Sequence, residues 1–179
     1  AILCDDDELA DRLRQLRNHG QDRRYHHPRI GINGRMDTLQ AAVILSKMTL
    51  FPDEVQQRSA LGNRYSELLA DSDCVTPLIA EGNLSVYAQY TLRVPQRDKV
   101  AAHLKDAGIP TAVYYPITLD QQPALANLCD PNRRFERSEA SAPRILSLPM
   151  FPEITREQVE FVAQEIRRIT SKVAEPATA

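Results

Sequence analysis

The segment GINGRMDTLQAAVIL, residues 31–45, constrains this chain more than any other stretch. A tight loop carrying Asn33 and Arg35 runs directly into a helix that is apolar on nearly every side. Asp37 and Gln40 have the spacing of a capping box, which sets the helix start at Asp37. Over 39–45 only Gln40 is polar, and Ala41 and Ala42 let another backbone come close. A helix apolar all round is buried on all sides, inside the protein or against a partner. One amide and one guanidinium are thereby fixed at the rim of a rigid element, which is how an anion site is usually supported. The competing reading is a surface loop in which Arg35 sits in water.

The bulk properties remove several function classes. A chain of 179 residues buries roughly two thirds of its unfolded surface, ample for one domain. Its 22 Lys and Arg against 24 Asp and Glu leave a net charge of −2, with no general attraction to nucleic acid or membrane. No apolar run approaches the ~20 residues of a membrane span, and no signal pattern opens the chain. Cys4, Cys74 and Cys129 are far apart and in no C-x-x-C pair. Disulfides and a metal site are therefore not expected, and a reduced, cytoplasmic location is the default. No Gly-x-Ser-x-Gly elbow or Gly-x-x-x-x-Gly-Lys phosphate loop is present.

Periodicity places the elements. Residues 1–4 read as a short strand, and Asp5 with Glu8 as the capping box of a helix whose stripe is Leu9, Leu13 and Leu16. A basic loop leads to the signature helix, and Pro52 opens another with Leu61, Tyr65, Leu68 and Leu69 on one face. Val86, Ala88, Tyr90, Leu92 and Val94 alternate with Tyr87, Gln89, Thr91 and Arg93, a period of two that predicts a half-buried strand. A helix over 97–107 closed by Gly108, a strand over 111–115 stopped by Pro116, and a short helix over 138–143 follow. Next come an extended 145–148 and a last helix, with Thr155 and Gln158 as its capping box and Val159, Val162, Ile166 and Ile169 as its stripe. The pattern predicts a small antiparallel or mixed sheet covered on one face by helices, with a disordered tail over 172–179.

The signature, with AILCDDDELADRLRQLRNHGQ before it and YAQYTLRV, GIPTAVYYP and ILSLPMFP after it, resembles the DegT/StrS family of pyridoxal-phosphate (PLP) sugar aminotransferases. RNHGQDRRYHHPRIGINGR is most similar to the branch that aminates UDP-linked 3-keto-N-acetylglucosaminuronic acid. The resemblance implies an α/β fold, the C-terminal portion of a fold-type I PLP-dependent transferase with an α+β small domain. Residues 1–30 would end the large PLP-binding domain, 31–70 would be connecting helices, and 71–171 the small domain. It also implies a homodimer with shared active sites, taking glutamate and a UDP-sugar in aminosugar, surface-polysaccharide or lipopolysaccharide synthesis. The Schiff-base lysine would lie upstream of Ala1, so this chain alone is expected to be inactive.

By the same resemblance Asn33 donates to the cofactor phosphate and Arg35 pairs with a carboxylate, each reaching into the neighbouring subunit. The residue types suit those tasks, two amide donors for a phosphate and a guanidinium fork for a carboxylate. Tyr115 matches a tyrosine near the substrate. Relatives often carry histidine where Tyr114 stands and again where Asp120 stands. Alternation along a strand keeps Tyr114 and Tyr115 from facing the same cavity. The basic loop 23–29, with His27, either meets the diphosphate of a nucleotide-sugar or lies solvated. Two other functions compete: a dehydratase of the same family, with histidine in place of the Schiff-base lysine, and a non-catalytic interaction fragment.

Overall fold

Asp5, Asp6, Asp7 and Glu8 offer competing caps for the first helix, and Asp6 takes the role. Its carboxylate accepts the Leu9 N–H at 2.9 Å, and α1 spans Asp7–Arg17. The start expected at Asp5 is therefore one residue early. Asp7 and Glu8 occupy the first turn and Arg14 and Arg17 the last, as the helix dipole favours. The structure, a computed structural model, describes residues 2–125, 127–130 and 133–173. It divides into two compact units, Ala1–Phe51 and Pro52–Ala179.

In the first unit α2 runs Thr38–Met48, capped as expected by Asp37, whose side chain accepts the Gln40 N–H at 2.8 Å. None of its residues is buried: Leu39 is 81% exposed and Leu45 70%. The expectation of burial on all sides is not met within this chain. Leu13 and Leu16 on α1 are half-buried while Leu9 stays exposed, because the loop at 32–34 lies only along the helix's C-terminal end.

The second unit is built on α3, Phe51–Leu68. Tyr65 on its inner face and Leu69 just past its end are fully buried, with Leu61 and Leu68 packed beside them. The strand expected over 86–94 is shorter, β1 at Tyr90–Arg93, with Tyr90 and Leu92 buried as the alternation requires. The alternation fails upstream because Tyr87 adopts φ 44°, which turns its ring inward and leaves Val86 and Ala88 outside. Arg58 holds that irregular turn. Its guanidinium donates to the carbonyls of Val86 at 2.9 Å, Tyr87 at 2.6 Å and Met150 at 3.2 Å. Gly62 makes room for the Tyr87 ring, which a Cβ would overlap. Tyr65 and Tyr87 stack at 5.0 and 5.3 Å from Tyr90, whose hydroxyl pairs with Ser66 at 2.7 Å. Burial pushes the Tyr90 hydroxyl up to about 12.

β1 pairs antiparallel with β2, Ile145–Leu148, through Tyr90 opposite Leu148 and Leu92 opposite Leu146. Single bridges widen this ladder at both edges, Val75 to Arg93 and Ala112 to Ser147. The strand expected over 111–115 is only that one bridge. Pro110 and Pro116 bracket the segment and donate no N–H, so a longer ladder does not form. α4 (Arg97–Asp106) and α6 (Arg156–Val173) pack together over the sheet, burying Val100, Leu104, Val159 and Ile166. The Thr155–Gln158 capping box forms in both directions, at 2.9 and 3.3 Å. α5 occupies Glu136–Ser141, two residues earlier than expected. From residue 174 the expected tail lies outside the described residues, while Lys172 and Val173 belong to α6.

Glu165 on α6 joins the two helices, its carboxylate 2.7 Å from His103 Nε2 and 2.8 Å from Arg168. Arg168 first and His103 second hold that carboxyl below its ordinary 4.5. A lowered carboxyl favours the folded state above the ordinary value, and the contribution is lost as pH falls through the lowered one. Urea unfolding at a series of pH values is expected to show a shallower acid limb for Glu165→Gln than for the unaltered chain. An identical limb would leave the pair without energetic weight.

Candidate active-site loop and the cavities of the second unit

The loop before α2 is shaped by two glycines. Gly20, at φ 73°, and Gly31 bring their backbones together so closely that a Cβ on Gly20 would overlap the Arg29 carbonyl. A Cβ on Gly31 would overlap the Gly20 amide and come within 2.6 Å of the Leu16 carbonyl. The approach straps residues 32–34 to the end of α1. His19 N–H donates to Ile32 O, Ile32 N–H to Leu16 O and Gly34 N–H to Arg17 O, each at 2.9 Å. Asn33 bridges Asn18 in the middle of this strap.

The side chains of Asn33 and Arg35 meet on the outer surface, Arg35 Nε donating to Asn33 Oδ1 at 3.3 Å. Only the amide oxygen can accept that bond, so its NH₂ faces away from Arg35. Among the described residues, Asn33 Nδ2 and the two terminal guanidinium nitrogens of Arg35 have no hydrogen-bond partner. The loop therefore presents a cluster of side-chain N–H donors. An acceptor-rich anion is the chemistry that completes it.

His27 lies on the same side of the sequence, its Nδ1 3.0 Å from the His19 carbonyl. A carbonyl only accepts, so Nδ1 carries the hydrogen and Nε2 is the ring nitrogen left for a ligand. The rest of the basic loop is partly tied down. Arg29 donates to Gln15 at 3.1 Å, Gln15 to Asp11 at 2.6 Å, and Arg24 lies 4.9 Å over the Tyr25 ring. His26, 2.7 Å from Asp22, holds that carboxyl below its usual range.

Tyr114 and Tyr115 belong to the second unit and part company although no strand forms there. Tyr115 lines a cavity of about 580 Å³ with Thr118, Asp120, Cys129 and Phe135. Tyr114 lines a separate one of about 300 Å³ with Gln89, Ser147 and Phe151. The Thr118 hydroxyl is buried without a partner among the described residues. Sequence reasoning missed Thr118 and the paired role of Gly20 and Gly31. The signal for the glycines was their position, one on each side of a loop that begins and ends against the same helix.

Gly31→Ala is expected to cost about 1–3 kcal/mol, the usual range for overpacking, and to speed proteolysis within residues 20–31. Gly34→Ala is the control, since its Cβ would meet Arg17 Cγ at an ordinary 3.5 Å. Equal proteolysis rates for the two variants would show that the crossing does not hold the loop.

Residues 1–167 match the DegT/DnrJ/EryC1/StrS aminotransferase family. The chain is 45% identical to UDP-2-acetamido-2-deoxy-3-oxo-D-glucuronate aminotransferase of Pseudomonas aeruginosa over 162 residues, 90% of this chain and 44% of that protein. Among solved structures, a DegT DnrJ EryC1 StrS aminotransferase from Brucella abortus superposes with TM-score 0.87 at 37% identity, over 94% of this chain and 45% of the other. DesV of S. venezuelae, solved with a ketimine intermediate, gives TM-score 0.86 at 34% identity over 97% and 46%. The chain thus spans somewhat under half the length of these relatives. It belongs to the DegT/DnrJ/EryC1/StrS aminotransferase family.

Proposed function

We propose that this chain is the C-terminal part of a cytoplasmic, PLP-dependent aminotransferase that transfers an amino group from glutamate to a keto-sugar nucleotide. UDP-3-keto-N-acetylglucosaminuronic acid is the acceptor favoured by the likeness to the Pseudomonas enzyme. The product enters aminosugar synthesis for a surface polysaccharide such as lipopolysaccharide. The observation that carries this reading is the donor-rich pair of Asn33 and Arg35 on a strapped loop.

The residues fit the cofactor. The Asn33 NH₂ offers two N–H donors, which suits a phosphate, while its oxygen already takes one bond from Arg35. PLP, when bound, supplies the electron sink for the amino-transfer chemistry. Around it, Asn33 holds the phosphate and the terminal nitrogens of Arg35 grip a carboxylate, of glutamate or of the uronic acid. Nε2 of His27 is our candidate donor to the sugar diphosphate, its Nδ1 being held by the His19 carbonyl. In the second unit Tyr115, on the larger cavity it lines, is our candidate for contact with the acceptor, and Tyr114 serves only the smaller cavity. Residues 1–30 belong with the large cofactor domain, 31–70 connect, and 71–171 form the small domain.

The bare apolar surface of α2 supports a homodimer in which this loop serves the partner's active site. Exposed apolar patches of this kind are seldom left open on soluble monomers. At micromolar concentration the chain is expected to sediment as a dimer or larger species, and a stable compact monomer would count against the shared site.

The catalytic reading is tested on the full-length protein by separating its half-reactions, glutamate to pyridoxamine form and pyridoxamine form to aminosugar. A charge-assisted bidentate pair is worth about 1.5 to 3 kcal/mol, so Arg35→Ala is expected to slow the carboxylate-bearing half-reaction roughly ten- to a hundred-fold. Arg35→Lys recovers only part of it, since an ammonium lacks the fork. Slowing of the sugar step alone identifies a uronic acid, and two unchanged half-reactions refute the assignment.

A further inference from the structure

Arg35 has a second task that follows from which of its nitrogens is already engaged. The backbone on either side of Asn33 is fixed by the bonds of Ile32 to Leu16 and Gly34 to Arg17. The remaining freedom of Asn33 is rotation of its own side chain, and an exposed amide on a short stem turns over readily. Among the described residues the turn is opposed by one contact, the Arg35 Nε–H on Asn33 Oδ1 at 3.3 Å. Reversing the amide would set N–H against N–H.

We infer that Arg35 is the positioning residue for the cofactor phosphate, orienting the Asn33 amide through its Nε while its terminal nitrogens read the substrate carboxylate. This rests on the reading of Asn33 as a phosphate donor and goes beyond it, because one side chain then links the two anion sites. The arrangement also restricts how the carboxylate docks. A guanidinium presents a side-on pair, Nε with one terminal nitrogen, or an end-on pair of both terminal nitrogens. With Nε held by Asn33, only the end-on pair is open. A lysine in place of Arg35 keeps the charge near the phosphate and loses the nitrogen that orients the amide.

The test is a double-mutant cycle on the full-length apoenzyme, reading the Kd for pyridoxamine phosphate by calorimetry. This ligand needs no covalent link to the protein. Pyridoxamine, which lacks the phosphate, serves as the parallel probe. Arg35→Ala and Arg35→Lys are each expected to weaken pyridoxamine phosphate by about two- to ten-fold, the worth of one ordinary hydrogen bond. Neither is expected to change pyridoxamine binding. In an Asn33→Ala background the same substitutions are expected to have no further effect.

Additive losses, or full recovery by Arg35→Lys, would show that Arg35 acts on the phosphate by charge alone and overturn the inference. In those cases a loss caused by Asn33→Ala still upholds the phosphate role of Asn33. If Asn33→Ala leaves pyridoxamine phosphate affinity unchanged, the phosphate role and the inference both fall. Equal weakening of both probes by Arg35→Ala would mark a general disturbance of the site and would also reject it.

Discussion

The close crossing of Gly20 and Gly31 is the constraint on which the loop carrying Asn33 and Arg35 depends. Two backbones meet where no side chain fits, and residues 21–30 become a closed excursion from the end of α1. Everything that follows is held relative to that helix, first Ile32, then Asn33, then Gly34. A residue on an unrestrained loop loses conformational freedom whenever it binds. Here the crossing has already removed most of it for the backbone, and a ligand has only two side chains left to order.

The second unit solves a similar problem with a charged group. Its irregular turn at 86–88 exposes carbonyls that no sheet partner reaches, and Arg58 on α3 satisfies them together with the carbonyl of Met150. A planar guanidinium with five donors suits this task, because its hydrogen bonds radiate in one plane to segments distant in sequence. The same turn drives the Tyr87 ring onto Gly62, and the tyrosine cluster ties helix to strand.

The elements governed by neighbours in sequence were legible. Asp37 caps α2 and Thr155 with Gln158 caps α6, because these bonds span three residues. The cap of α1 was misread by one position because four successive acids compete and only the Leu9 N–H decides. The strand at 86–94 was overextended for the opposite reason: Arg58, about thirty residues away, sets the backbone at Tyr87. Bracketing prolines shortened 111–115 to one bridge, which alternation alone does not reveal. At the candidate site the pairing of Asn33 with Arg35 could be suspected from their spacing, whereas the nitrogen that makes the contact is visible only in three dimensions.

Tyr114 and Tyr115 leave one stretch of backbone for two cavities that share no lining residue. Neighbouring positions in a gene are thereby decoupled in what they touch. A codon change at one of them reshapes a single chamber while the adjoining chamber keeps its wall. Such a junction lets the shape of one chamber change without a compensating change at the next residue.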